Sequence, residues 1–238
     1  MAAPSEPLKT GYDESKSVAG GEVVLQAGVP AKAAPVIAKA PQLVAVGSPV
    51  TTLNVADGKV LVERYFSSIN TLRAQFTQDV SGEPFTQEGV FYLKKPRQFL
   101  WQYVKPTPQK IVGTGTTIYY VDEETNQVTQ LPNNSGLTKF FTEGRLDLDR
   151  EGVRVTRVET SDLETVVWLT IKGGDRVLGG GEIKNIRLVF AKNPTVLKVM
   201  EATDITGAVT TIRLNDVAMN TKVNSELFKF IPPQYREK

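Results

Sequence analysis

The sequence predicts a mainly β protein: one large, strongly curved antiparallel sheet, or a sandwich, with short helices on one face. Three observations carry this. About eleven segments alternate apolar and polar residues, Gly, Pro, Asn and acidic turn residues punctuate them, and only about 25 residues show a helical period.

The first helical pattern lies between Asn54 and Asn70, where Leu61, Val62, Tyr65, Phe66 and Ile69 recur at spacings of three and four, and where Asn54 or Asp57 can cap the start. The alternating segments follow at 72–80, 87–94, 98–105, 109–114, 116–121 and 127–131, then at 153–160, 165–172, 183–190, 195–203 and 208–214. Lys172-Gly-Gly, Gly179-Gly-Gly, Asn193-Pro and Thr206-Gly mark turns between the later ones. A second, brief helical pattern spans 135–143, with Leu137, Phe140 and Phe141 on one side. Two rings on a helix too short to persist alone read as a lid or as a buried connecting turn.

Before the first helix, residues 1–53 are rich in Ala, Pro, Gly and Val, with Pro4, Pro7, Pro30, Pro35, Pro41 and Pro49 interrupting any ladder or helix. This stretch reads as a disordered arm, and 54–238 as one domain.

Composition narrows the chemistry. With 40% hydrophobic and 23% charged residues the chain can bury one sizeable core, and a net charge of +2 gives no electrostatic footprint for nucleic acid. The chain has no His and no Cys, which removes the commonest general base, thiol nucleophiles, disulfides and His- or Cys-based metal sites, so neither metal nor cofactor is expected. No apolar run is long enough to span a membrane as a helix, and the N-terminal residues lack a signal-peptide pattern, so any leader is expected to have been removed. The acidic groups at Asp122, Glu123, Glu124 and at Asp147, Asp149, Glu151 fall in predicted turns, where solvated charge is ordinary. Gly179-Gly-Gly181 has no following Lys-Ser/Thr and is a hairpin rather than a phosphate loop.

The alternation places Phe76, Phe91, Phe99, Trp101, Tyr103, Ile118, Tyr120 and Trp168 on an apolar sheet face, together with Val189 and Val199. With so little helix to cover it, that face is either a concave acyl-binding surface or the core of a closed sandwich.

An ordered series of motifs adds to this reading. Phe76-Thr-Gln78, Gly89-Val-Phe-Tyr-Leu-Lys-Lys-Pro96, Phe99-Leu-Trp-Gln-Tyr103, Ile111-Val-Gly-Thr-Gly115, Tyr119-Tyr-Val-Asp122, Asp204-Ile-Thr-Gly207 and Phe228-Lys-Phe-Ile-Pro-Pro233 together resemble the outer-membrane lipoprotein carrier family, LolA. The resemblance implies an unclosed barrel of eleven antiparallel strands under a helical lid built from Leu61, Phe66, Leu137, Phe140 and Phe141. It implies a non-enzymatic, monomeric periplasmic chaperone for lipoprotein acyl chains, loaded by the inner-membrane Lol ABC transporter and unloaded by the receptor LolB. Lys95 stands where the family usually has an arginine that reaches lid carbonyls, so the latch falls to Lys95 or to Arg97 two residues on. A LolB-like receptor without its acylated cysteine and a cell-envelope hydrolase are the rival readings.

Overall fold

A computed structural model describes residues 50–132, 142–176 and 182–232. The proposed lid residues Leu137, Phe140 and Phe141, and the Gly179 hairpin, lie outside them.

Twelve strands form a single antiparallel sheet: β1 (Thr51–Thr52), β2 (Thr71–Val80), β3 (Gln87–Lys94), β4 (Gln98–Lys105), β5 (Gln109–Thr114), β6 (Thr117–Asp122), β7 (Val128–Pro132), β8 (Val153–Thr160), β9 (Glu164–Arg176), β10 (Glu182–Ala191), β11 (Val196–Asp204) and β12 (Val209–Met219). Their order is β1-β8-β9-β10-β11-β12-β2-β3-β4-β5-β6-β7, and β1 and β7 at the two ends do not pair, so the barrel is unclosed. The eleven predicted strands are all present. Thr51 and Thr52, within the stretch read as arm, add a twelfth by pairing with Thr160 and Glu159.

Helix α1 (Val55–Ser68) begins at Asn54, whose side chain accepts a hydrogen bond from the Ala56 N–H at 2.9 Å. Val62, Tyr65, Phe66 and the following Ile69 are buried against the sheet's inner face. Gly58 lets the helix approach β8 closely, because a Cβ there would stand 2.3 Å from Val158 Cγ2. The Tyr65 hydroxyl accepts from the Leu197 N–H at 3.0 Å, and its ring meets Phe190 edge-on at 5.0 Å.

Strand parity dictates the rest of the cover. Ten antiparallel steps separate β8 from β7, so the two run in the same direction, and the connection between them must return the chain along the barrel's length. Residues 142–151 supply the described part of that return as a strap antiparallel to α1. The Leu146 N–H donates to Ser67 Oγ at 3.0 Å, the Leu148 N–H to Glu63 Oε1 at 2.9 Å, and Lys59 pairs with Asp149 near the far end. Leu146 and Leu148 are buried in the main core.

A second, small apolar cluster sits on the convex face. Phe228, in the 3-10 turn Ser225–Phe228, packs with Leu100 and Val112 beside Tyr92 and Tyr119, and Phe230 stacks on Tyr119 at 3.9 Å.

Candidate functional site

The inner face of β2 to β6 is an aromatic wall. On β4, Phe99, Trp101 and Tyr103 point inward while Leu100 points to the convex cluster, as a period of two requires. Trp101 lies between Phe91, its cross-strand partner, at 4.5 Å and Phe76 at 5.1 Å, and Phe76 meets Tyr103 edge-on at 5.1 Å. Ile118 and Tyr120 continue the wall on β6.

Two glycines make room for rings. A Cβ on Gly89 would stand 2.1 Å from the Gln102 carbonyl oxygen and 2.6 Å from the Phe76 ring, and one on Gly113 would stand 2.3 Å from the Phe99 ring, so each ring packs directly against bare backbone. Phe99 is thereby sealed, at 5% exposure, whereas Phe91, Trp101 and Tyr120 are only partly buried. One polar line crosses the wall: the Tyr103 hydroxyl donates to Gln78 Oε1 at 3.1 Å, and Gln78 Nε2 to Gln87 Oε1 at 2.8 Å. Burial raises both the Tyr103 and Tyr120 hydroxyls above the usual tyrosine range.

Trp168 does not belong to this wall. On β9 it is Val167, Leu169 and Ile171 that enter the core, which puts Trp168 on the opposite face. There its cross-strand neighbours are Arg157 and Arg187, whose guanidinium carbons lie 4.7 and 5.9 Å from its ring centroid. Arg187 also pairs with Glu201 at 2.7 Å, completing a charged ladder on the outside.

Lys95 and Arg97 both tie sheet to cover, at different places. The Lys95 ammonium donates to the Phe66 carbonyl at the end of α1. Arg97 holds the start of the strap through Glu143 Oε1, at 2.8 Å from Nε and 2.6 Å from a terminal nitrogen, while its backbone N–H donates to the Thr142 carbonyl at 2.9 Å. Of the two predicted helix residues in the lid, Phe66 is sealed in the core and Leu61 packs beside it.

Burial lowers the Lys95 ammonium from 10.5 to about 8, with the Glu143 carboxylate opposing. A lysine held below its free value gives up its proton in the folded chain before it does in water, so its burial penalty is full below about pH 8 and fades as pH rises toward 10.5. The wild type is therefore expected to gain unfolding free energy across that window relative to Lys95→Met, compared by denaturant midpoint at each pH; parallel curves for the two proteins would refute this.

A groove of about 690 Å³ runs between α1 and the strap, lined by Lys59, Glu63, Arg64, Arg145, Asp147 and Arg150 among others. Its charged lining is unsuited to acyl chains. The two acidic turns have structural contacts: Asp122 Oδ1 accepts from the Glu124 and Thr125 N–H groups, Asp147 Oδ1 accepts from the Arg150 N–H, and Asp149 pairs with Lys59. Leu146 and Leu148 are the residues that sequence reasoning missed. The alternation Leu-Asp-Leu-Asp over 146–149 was the available signal, overshadowed by its acidic members.

The chain is similar to known proteins in sequence. Residues 67–231 match the family model described as outer membrane lipoprotein carrier protein LolA. The outer-membrane lipoprotein carrier protein of Pseudoalteromonas translucida is 27% identical over 202 residues, covering 81% of this chain and 91% of its own. That of Methylococcus capsulatus is 30% identical over 179 residues, covering 72% and 82%. Among solved structures, a LolA superfamily protein from Nitrosomonas europaea aligns with a TM-score of 0.41 at 10% identity, covering 75% of this chain and 99% of that one. With a family match over most of its length, the chain belongs to the outer-membrane lipoprotein carrier (LolA) family.

Proposed function

We propose that the protein is a non-enzymatic periplasmic carrier that holds the acyl chains of lipoproteins against its inner sheet face. The observation that carries this reading is the partly buried wall of Phe91, Trp101 and Tyr120, faced among the described residues by one helix and a strap instead of a second sheet. Each methylene moved from water onto such a surface contributes about 0.8 kcal/mol, so chain length alone supplies substantial affinity.

Cargo enters when the cover shifts. The strap is tied to the sheet by Arg97 and to α1 by Ser67, Glu63 and Lys59, so its opening requires the breaking of these ties together with withdrawal of Leu146 and Leu148. Handover then needs only a receptor whose site binds the chains better than the open carrier does. The reading includes loading by the inner-membrane Lol transporter, and delivery to a LolB-type receptor.

Incubating the protein with spheroplasts tests this: lipoproteins should leave the membrane as a soluble one-to-one complex. No release, with acceptance of lipoprotein from a known carrier, would instead identify a receptor. Phe91→Glu is the sharper site test, because Phe91 stands at the wall yet is only partly buried, whereas a carboxylate at the sealed Phe99 would also unfold the sheet. Phe91→Glu is expected to lower uptake of an apolar fluorescent probe at least tenfold, with a denaturant midpoint close to wild type; unchanged uptake would remove Phe91 from the site.

A further inference from the structure

Among the described residues, the indole Nε1 of Trp101 is the one buried side-chain nitrogen or oxygen without a hydrogen-bond partner. Its surroundings explain this. The ring is packed between Phe76 and Phe91, and Ile111 faces it from β5. The nearest polar side chain on its own strand face, Tyr103, is already committed to Gln78. Buried indoles ordinarily find an acceptor, and a donor left unmade in an apolar setting is destabilising.

We infer that Trp101 Nε1–H is a donor reserved for cargo, and that it takes an ester carbonyl of a glycerolipid-type acyl group lying on the inner face. This rests on the reading of that face as the acyl site. Hydrocarbon alone cannot fix where a chain stops, because apolar burial is non-directional. A single donor in a low-dielectric wall sets the depth at which the carbonyl comes to rest, and rejects a chain that lacks one because the indole is then left unpaired. The cargo class that satisfies it is an acyl ester, in preference to an alkyl ether or plain hydrocarbon of the same length.

The test compares dioctanoylglycerol with dioctylglycerol, its ether counterpart, on the full chain labelled with ¹⁵N at tryptophan. The sequence contains 2 tryptophans, and Trp168→Phe, on the outer face, assigns the remaining indole signal to Trp101. The ester is expected to bind about five- to tenfold tighter, the worth of one hydrogen bond to a buried donor. Only the ester should move the Trp101 indole proton downfield. Trp101→Phe should bring the affinity ratio close to one. Should that variant fold poorly, benzothienylalanine incorporated in the Trp168→Phe background replaces the N–H by sulfur with little change of shape and should do the same. Equal affinities, or equal displacements of the indole proton by both ligands, would overturn the inference and leave the acyl site standing. Failure of both ligands to bind would overturn the acyl site as well.

Discussion

Leu148→Ala is expected to lower the unfolding free energy by about 2–5 kcal/mol and, at the same time, to raise uptake of an apolar probe. Leu148 has no measurable exposure, and it is the more deeply buried apolar anchor of a strap otherwise held by Leu146, Arg97, Ser67, Glu63 and Lys59. Removing three heavy atoms there leaves a void between strap and core, and the strap is the part of the structure best able to move. The comparison that isolates the effect is Leu188→Ala, equally buried but on β10, an interior strand paired on both sides. Both should destabilise by similar amounts in a denaturant titration. Only the strap variant should bind the probe faster and more extensively, because only there is the loss confined to the cover. Equal uptake in the two variants would show that the strap does not gate the inner face.

Much of this architecture was legible in the residues. The predicted limits of β3, β4, β5 and β8 coincide with the observed ones, since each strand alternates cleanly and ends at a Gly, Pro or charged turn. β12 was read too short. Its alternation breaks after Leu214 at a bulge where Asp216 takes a positive φ of 48°, and pairing resumes at Ala218 and Arg73. A bulge breaks the period without ending the strand, so a pattern of two cannot see past it.

Trp168 failed for a different reason. Val166-Val-Trp-Leu-Thr-Ile171 is apolar on both faces, so alternation gives no choice between them. The deciding information lay across the sheet, in Arg157 and Arg187, and cross-strand register is absent from a one-dimensional pattern. The division of labour between Lys95 and Arg97 was equally hidden. The sequence offers the two as alternatives for a single latch, yet the backbone sends Lys95 to the α1 carbonyl and Arg97 to Glu143 on the strap. The positive φ of 58° at Arg97 accompanies that change of direction.

Phe228→Ala should cost about 3–5 kcal/mol of stability while leaving affinity for an apolar probe unchanged. Phe228 is 2% exposed and anchors the C-terminal segment on the convex face, where the Phe230–Tyr119 stack holds the next residues down. The strands beneath serve two cores at once. Leu100 stands between Phe99 and Trp101, and Val112 between Ile111 and Gly113, with one set facing the convex cluster and the other facing the wall. A truncation on the convex side removes packing without touching any inner side chain, so the loss should appear in the denaturant midpoint and not in the binding curve. A parallel loss of affinity would mean instead that the C-terminal segment holds β4 and β5 at the curvature the inner wall needs, and that the two faces act as one unit.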